Sequence, residues 1–357
     1  MKENRMLPLA NTCFLRVLTL SCCAVFLLCA FGCKEPDAES PENHDQRAAT
    51  DGNHSDGLFT IRYRPKWLHQ AQFAGVYMAK EKGFYRQRGL NVVVQPGGLD
   101  FPSYDALIAG ETDVTDQFLI YALAQSDLGQ NLVNLAQVSQ KNSTRLVGRK
   151  SSGITKLEDL RGKKVGIWRN ESGELVRLLL DKMKLDVDIV TIDWSVNLLL
   201  NNAIDMMNVM TYNEYHRLLM AGLDSDDLVT LNLTDYGYGL VEEGLYTTLD
   251  YYQNHTQECQ AFAEATMEGW IYAFAHREET LDVVLRYLRE SYLPANRSHQ
   301  AWMLDHMREN VLEDPNAVGY LRPDDFDTAL DVLMENGWVK TPVDYRKFYP
   351  HAIKKKS

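Results

Sequence analysis

The chain has 357 residues, of which 45% are hydrophobic and 24% are charged, a composition that is ordinary for a globular protein large enough to form two domains. The formal net charge of −12 argues against nucleic-acid binding, because phosphate groups are bound by clusters of Lys and Arg. Of the six cysteines, only Cys259 follows residue 33. The rest of the chain therefore has no disulfide framework, and its fold must be held together by the burial of apolar side chains.

The first 33 residues have the pattern of an export signal. Basic residues precede a short apolar run, and the run ends at Ala30-Phe31-Gly32-Cys33, which fits a bacterial lipobox. Residues 1–32 are therefore predicted to be a lipoprotein signal peptide. Cys33 would carry a lipid that anchors the exported protein to a membrane, in the periplasm or at the cell surface. A plain signal peptide and a single membrane-spanning anchor are the alternatives, although a bilayer needs about 20 apolar residues.

Strand and helix patterns alternate from residue 58 onward. Residues 33–57, before them, carry almost no large apolar side chains, which predicts a flexible tether. In chain order, strands are predicted at 58–64, 91–95, 113–115, 132–138, 145–149, 164–168, 188–192 and 206–210. Helices are predicted at 73–88, 104–109, 119–127, 174–183, 196–201 and 212–221, and then, in a nearly all-helical final part, at 257–290, 300–310 and 324–336.

This alternation indicates an α/β fold built from βαβ units, with mostly parallel sheets. The elements form two successive series, which predicts two lobes. Lobe II (residues 144–240) would be inserted into lobe I (residues 58–143 and 241–357), and the helical C-terminal region would close the assembly. Ligand sites in such sheets lie at the carboxyl ends of strands and in the cleft between lobes.

Motifs for catalysis or metal binding are missing from the sequence after residue 33. It contains no GxSxG, P-loop, HExxH or CxxC motif, and its histidines are scattered without the spacing that would bring two onto one helix face beside a third ligand. The acidic pair Glu242-Glu243 is of a kind common on protein surfaces. We therefore predict a binding protein rather than an enzyme, with no cofactor and no metal site.

Two segments are candidates for ligand contacts. Trp67 follows the first predicted strand, where a flat indole would suit stacking on a planar ring; packing in the core is the alternative. The segment 170–174 follows the strand at 164–168 and opens a helix, whose backbone N–H groups could hold an anion or a carbonyl group. A simple N-cap by Ser172 is the alternative there. Because two acidic residues in this segment would repel phosphate, a neutral or cationic ligand is expected. The segment's candidate ligand-binding residues are Asn170, Glu171, Ser172 and Gly173.

A third candidate follows the strand at 206–210. Asn213 and Glu214 begin the next helix, where a buried carboxylate could pair with an amine or an amidine-like ring edge; a cap or a first-turn carboxylate is the alternative. Aromatic residues that could complete the cleft, although each is more typical of a core, are Tyr77, Tyr121, Trp168, Trp194 and Tyr246.

Six segments, taken in order, resemble one family. The first reads W-x(4)-Q-F-A-G-V-Y-M-A-K-E-K-G-F-Y-x(3)-G-L-N-V. The others are A-G-E-T-D-V, D-L-R-G-K-K-V-G-I-W, M-T-Y-N-E-Y, G-L-V-E-E-G-L-Y and A-x(3)-G-W-x-Y-A. They occupy residues 67–92, 109–114, 159–168, 210–215, 239–246 and 265–273. The body of the chain, from about residue 60 to 285, is similar to extracytoplasmic solute-binding proteins related to thiamine-pyrimidine, sulfonate and riboflavin uptake.

The resemblance implies a two-lobe periplasmic-binding-protein fold of type II that delivers solute to an ABC permease. The expected solute is a small planar nitrogen heterocycle, either a thiamine pyrimidine precursor or a riboflavin-like compound. It would stack on Trp67 and bond to Gln72, Asn213 and Glu214, and the resemblance adds Gln117 and Glu242 to the contacts. Pyrimidine binders of the family show W-x-P-N-x-x-H after the first strand, whereas residues 67–73 read W-L-H-Q-A-Q-F, so the exact heterocycle stays open.

Three alternatives remain. One branch of the family consists of thiamine-pyrimidine synthases that use a Lys, a His and a cysteine-rich run. Gln117 and Tyr121 stand at the Lys and His positions and the run is missing, so a Schiff base to pyridoxal phosphate could not form at that Lys position. A binding protein of the sulfonate or nitrate type and a lipoprotein that senses solute for a membrane partner are the others.

Overall fold

The computed structural model describes residues 57–193 and 195–350. The predicted signal peptide, Cys33, Trp194 and nearly all of the predicted tether lie outside the described residues. Among the described residues, no helix combines the length and the apolar character needed to cross a membrane.

The first sheet has five strands in the order β2-β1-β3-β10-β4. Its central strand β3 is fully buried, and β1 pairs in parallel with both β2 and β3. In contrast, β10 lies antiparallel to β3 and to β4. The strand bounds are β1 Phe59–Arg64, β2 Leu90–Val94, β3 Val114–Phe118, β4 Leu132–Gln137 and β10 Glu243–Thr248.

The second sheet repeats this arrangement, with the order β7-β6-β8-β5-β9. Strand β6 pairs in parallel with β7 and β8, whereas β5 is antiparallel to β8 and β9. The strand bounds are β5 Thr144–Arg149, β6 Lys164–Trp168, β7 Asp188–Ile192, β8 Met206–Met210 and β9 Leu228–Asn232.

Both sheets are mostly parallel, as expected, but not entirely: in each, four of the five strands run in the same direction and one runs against them. The reason is the path of the chain, which leaves the first sheet after β4 and returns to it at β10. The chain crosses from the first sheet to the second between β4 and β5, and it crosses back between β9 and β10. Each strand that follows a crossing, β5 or β10, lies between two strands and runs antiparallel to both. The remaining strands keep the parallel βαβ arrangement that the sequence predicts.

Thirteen α-helices among the described residues cover the sheets. Their bounds are α1 Ala74–Glu81, α2 Phe84–Gln87, α3 Ser103–Ile108, α4 Leu119–Ala124, α5 Glu171–Lys182, α6 Asn197–Leu200, α7 Glu214–Met220, α8 Leu249–Asn254, α9 Thr256–Ala275, α10 Arg277–Glu290, α11 Arg297–Val311, α12 Pro323–Glu335 and α13 Tyr345–Phe348. Short 3₁₀ helices, among them Ala71–Phe73 and Leu157–Leu160, occur between them.

Two long predicted helices are each interrupted. The helix expected at 73–88 breaks at Gly83, whose φ of 73° is left-handed and ends α1 before α2 begins. The helix expected at 257–290 breaks at His276, between α9 and α10. Strands β9 and β10 were not predicted. The other predicted strands and helices are present, with ends that differ by a few residues.

Helices α1 and α9 pack closely over the first sheet because each has a glycine where the two helices touch. Gly75 of α1 faces α9, and Gly269 of α9 faces α1. A Cβ atom at Gly269 would lie 2.1 Å from the carbonyl oxygen of Gly75, and a Cβ at Gly75 would lie 2.4 Å from the Trp270 ring. Neither position has room for a side chain. The segment A-x(3)-G-W-x-Y-A thus marks a helix crossing in the core rather than a ligand contact.

Candidate functional site

A cleft of about 410 Å³ lies between the two sheets, a volume in the range of small-molecule sites. It is lined by residues at or just after the ends of four strands, β1, β3, β6 and β8. These are the carboxyl ends of the strands in each sheet, the position where α/β sheets bind ligands. The first sheet and the second sheet each supply one wall.

The structure places most of the predicted ligand-binding residues together on this cleft. From the side of the first sheet come Trp67, Gln72, Gln117 and Tyr121, and from the side of the second come Asn170, Glu171, Ser172, Asn213 and Glu214. Tyr77, Gly173 and Glu242 do not line it. Lining residues that the sequence analysis did not single out include Lys66, Gln70, Ser103, Tyr104, Arg169 and Tyr212.

Aromatic side chains shape both walls. Trp67 meets Trp168, which projects from the end of β6, edge to face, with ring centroids 6.2 Å apart and an interplanar angle of 88°. Tyr104 and Tyr121 form a second edge-to-face pair with centroids 5.2 Å apart. Flat rings in this arrangement present faces and edges on which a planar solute could stack.

Three buried polar atoms on residues that line the cleft have no hydrogen-bond partner within the described part of the chain. They are the Tyr104 hydroxyl, Gln117 Oε1 and Trp168 Nε1. The Gln117 side chain is nevertheless oriented, because its Nε2 donates to Ser103 Oγ at 3.0 Å. A buried polar group without a partner costs roughly 1–3 kcal/mol. Because the residues that carry them line the cleft, these atoms are candidate donors and acceptors for a solute.

The start of α5 packs closely against the end of β6. Asn170 Oδ1 accepts hydrogen bonds from the Gly173 N–H at 3.2 Å and from Ser172 Oγ at 2.8 Å, so the N-cap is Asn170 rather than Ser172. A Cβ at Gly173 would lie 1.8 Å from the carbonyl oxygen of Trp168. Gly173 therefore permits the close approach of helix and strand, and it does not contact the cleft.

Asn213 and Glu214 line the cleft but are already engaged within the protein. Glu214 accepts hydrogen bonds from the Met210 N–H at 2.9 Å and from Asn213 Nδ2 at 2.7 Å, while burial raises the pKa of its carboxyl group. Asn213 Oδ1 lies 3.0 Å from Nε2 of His299 on α11. The pair thus joins the second sheet's wall to the C-terminal helices.

A buried ion pair lies next to the cleft, which Lys66 lines and Glu243 does not. Lys66 Nζ lies 3.0 Å from Glu243 Oε1 and 3.4 Å above the ring centroid of Phe118. Glu243 Oε1 also accepts hydrogen bonds from Gln72 Nε2 and, at 3.5 Å, from the Tyr212 hydroxyl. Glu243 is only 3% exposed, so the surface interpretation of this acidic pair was wrong.

Asp116 lies next to this ion pair. Its Oδ1 accepts hydrogen bonds from the Tyr63 hydroxyl at 2.7 Å and from the Lys66 N–H at 3.2 Å. Burial, together with the neighbouring Glu243 carboxylate, raises the pKa of Asp116 to about 7.

The predicted residues away from the cleft have structural contacts. Tyr77 is fully buried; its hydroxyl lies 2.8 Å from His69 Nδ1, and its ring stacks on Tyr287. Glu242 is buried just before β10 and accepts hydrogen bonds from the backbone and the side chain of Thr144. Tyr246 is in the core.

No group of three or more His, Cys, Asp or Glu side chains within residues 57–193 and 195–350 is arranged to hold a metal ion.

Comparison with known proteins gives the fold and the family. The chain is similar to the periplasmic aliphatic sulphonate binding protein SsuA from Escherichia coli, with a TM-score of 0.62 and 19% identity over 81% of this chain and 97% of that one. It is also similar to the desulfurization enzyme DSZB, with a TM-score of 0.52 and 15% identity over 81% and 96% of the two chains. The architecture is therefore the two-lobe α/β fold of periplasmic binding proteins, which binders and enzymes share.

Sequence comparison places the chain more narrowly. A protein of Haemophilus influenzae named for thiamine biosynthesis is 24% identical over 227 residues, which are 62% of this chain and 71% of that protein. The family model described as NMT1/THI5 like matches residues 70–280. The chain belongs to the NMT1/THI5-like family, as the motifs in the sequence indicate.

Proposed function

We propose that this protein is the extracytoplasmic solute-binding component of an ABC importer and that it captures a small planar nitrogen heterocycle between its two lobes. Export, a lipid anchor on Cys33 and a flexible tether before residue 58 are parts of the same proposal. An ABC permease in the membrane would be its partner. Closure of residues 144–240 on the remainder would be the signal that the permease detects.

The observation that carries this proposal is the combination of stacking surfaces and available polar atoms in one cleft. Trp67, Trp168, Tyr104 and Tyr121 offer aromatic faces and edges, while Gln117 Oε1 can accept a hydrogen bond and Trp168 Nε1 can donate one. A ring that carries both an N–H donor and a ring nitrogen acceptor has a partner to offer to each of these atoms. Aliphatic sulfonates offer no ring to stack.

A pyrimidine synthase is the second candidate, because the family and the fold include enzymes. Its chemistry needs an amine nucleophile that can lose a proton. Gln117, at the family's Lys position, is an amide that bonds to Ser103. Among the described residues that line the cleft the lysine is Lys66, and it is ion-paired with Glu243. Both observations favour a binding protein over this enzyme.

A panel of ligands in thermal unfolding tests the proposal. It contains aminopyrimidines, thiamine, riboflavin, pyridoxal phosphate, taurine and nitrate. A ligand present at 100 times its dissociation constant adds roughly 2.7 kcal/mol to the free energy of unfolding, and we expect this with one of the heterocycles. Stabilisation by taurine or nitrate alone contradicts the proposal, and an absorbing adduct with pyridoxal phosphate supports the enzyme.

A further inference from the structure

The charge balance of the cleft points away from anions. Lys66 and Arg169 are the cations among the described residues that line it, whereas four carboxyl groups also line it, those of Asp105, Glu171, Glu174 and Glu214. Lys66 is the more enclosed cation, with a side chain 10% exposed, so water and salt screen its charge less than that of Arg169.

Glu243 neutralises that charge. Burial lowers the pKa of Lys66, but the carboxylates of Glu243, Glu171 and Asp116 more than offset this and leave its pKa raised. Lys66 is therefore a permanent ammonium group at neutral pH. Both side chains of its ion pair with Glu243 are largely buried, so bulk salt screens this pair much less than a surface pair.

Contacts from both lobes fix the position of Glu243. Gln72 Nε2 donates from the side of the first sheet, and the Tyr212 hydroxyl donates from the segment after β8 in the second sheet. The carboxylate is consequently unable to turn away from Lys66 without breaking these bonds. An incoming anion would have to compete with Glu243 for Lys66.

The start of α5 is neutralised in a similar way. A helix N-terminus favours anions because of its exposed N–H groups and its dipole. Here the first turn carries Glu171 and Glu174, and Asn170 Oδ1 already accepts from the Gly173 N–H. Neither Lys66 nor the helix start remains as an attractive site for a sulfonate or a phosphate. Arg169, the other cation that lines the cleft, is exposed, so water and salt screen its charge far more than that of Lys66.

We propose that Glu243 is a specificity-determining residue that masks Lys66, so that the cleft takes neutral or cationic solutes and excludes anions such as sulfonates. This inference rests on the proposed solute-binding function and names the charge class of its ligand. Glu243→Gln keeps a similar shape and an acceptor oxygen for Gln72 and Tyr212 but removes the carboxylate that is ion-paired with Lys66.

Isothermal titration with methanesulfonate and with sulfate at constant ionic strength and neutral pH tests the inference. The proteins are the wild type, Glu243→Gln, Lys66→Met, and the double variant Lys66→Met with Glu243→Gln. Glu309→Gln, the same substitution at an exposed position of α11, is the matched control. We expect Glu243→Gln to bind methanesulfonate about tenfold or more tightly than the wild type, because a charge-assisted bond to an unmasked ammonium becomes available. The double variant should lose this gain.

Two results would overturn the inference. One is a folded Glu243→Gln variant, as judged by circular dichroism and thermal unfolding, that binds the anions no better than the wild type. The other is tight binding of methanesulfonate by the wild type that Lys66→Met abolishes. This second result needs only the wild type and Lys66→Met, so it can overturn the inference even if Glu243→Gln fails to fold.

The panel of heterocycles separates this inference from the proposed function. If a heterocycle binds the wild type but Glu243→Gln gains no affinity for anions, the masking role fails and the solute-binding function stands. If no heterocycle binds but Glu243→Gln gains methanesulfonate binding that depends on Lys66, the masking role stands and the proposed ligand fails.

Discussion

A half-buried tyrosine at the cleft and a fully buried one in the core differ in whether their hydroxyl groups have hydrogen-bond partners. The Tyr85 hydroxyl lies 2.6 Å from Thr266 Oγ1 in the core, as is usual for buried polar groups. The Tyr104 hydroxyl, at the cleft, has no partner within residues 57–193 and 195–350, and burial raises the pKa of Tyr104 to about 12. An unsatisfied neutral hydroxyl is costly in the absence of solute, so we infer that the Tyr104 hydroxyl bonds to the solute in the proposed function.

Tyr104→Phe should separate recognition from stability. The substitution removes only the hydroxyl, which loses no protein partner, so we expect the free energy of unfolding to stay the same or to rise. The affinity for the solute should fall by about tenfold, the equivalent of one hydrogen bond of roughly 1.4 kcal/mol. Chemical denaturation and isothermal titration measure the two quantities.

Tyr85→Phe is the matched control for this prediction. It removes a hydroxyl that has a partner, so it should lower the free energy of unfolding by about 1 kcal/mol and leave the affinity unchanged. A Tyr104→Phe variant that loses as much stability as Tyr85→Phe, with unchanged affinity, would show that the Tyr104 hydroxyl has a structural role.

The sequence indicated some cleft residues and missed others for a definable reason. Trp67 and Asn213 could be predicted because they follow strands that are visible in the pattern of apolar residues. Lys66 and Glu243 could not, since charged residues are usually exposed and their pairing joins positions 177 residues apart along the chain. Only the packing of β10 against β3 brings them together.

At the scale of elements, β5 and β10 determine how the two sheets are joined. Each follows a crossing between sheets and lies between two antiparallel neighbours. The alternation of strands and helices predicts parallel βαβ units, but it contains no signal for a strand that enters the middle of a sheet from the opposite direction. The strand β10 was also hidden because it begins at Glu243, which a pattern of hydrophobicity assigns to the surface.

Glu242 connects the two crossing segments. Its Oε1 accepts hydrogen bonds from the Thr144 N–H at 2.9 Å, from Thr144 Oγ1 at 2.7 Å and from Asn142 Nδ2 at 3.1 Å. Its Oε2 has no partner among the described residues, and burial raises the pKa of Glu242 to about 7. The folded protein therefore binds a proton at Glu242 more tightly than the unfolded chain does.

Glu242→Gln should change the dependence of stability on pH. In the wild type, the raised pKa means that this group's contribution to stability is fully present below its ordinary pKa of 4.5 and is lost as the pH rises to about 7. In the variant, the amide at position 242 does not ionise, so this decrease in stability with rising pH does not occur. Relative to the wild type, its free energy of unfolding should therefore rise by about 3 kcal/mol between these pH values.

Urea denaturation of both proteins across this pH range measures the difference, and Glu309→Gln again serves as the control on an exposed helix position. A difference between Glu242→Gln and the wild type that stays constant with pH would contradict the assignment of a raised pKa to Glu242.

At the scale of the molecule, the cleft exists because two sheets of the same topology direct the ends of their parallel strands toward each other. The sequence predicts this from the order of elements, since loops after β1, β3, β6 and β8 must lie at the strand ends that bind ligands. The sequence does not predict which side chains of the two walls contact each other. The contact of Trp67 with Trp168, and of Tyr212 with Glu243, requires the two lobes to be placed relative to each other.

Isothermal titration of the heterocycle identified in the panel, with the wild type and Trp67→Ala, tests the central claim most directly. Trp338→Ala, a half-buried tryptophan that does not line the cleft, is the matched control. If the solute stacks on Trp67 between the lobes, Trp67→Ala should weaken binding at least about tenfold, by the size of the aromatic contact, and Trp338→Ala should not. Unchanged affinity in a folded Trp67→Ala variant would contradict this account of the cleft.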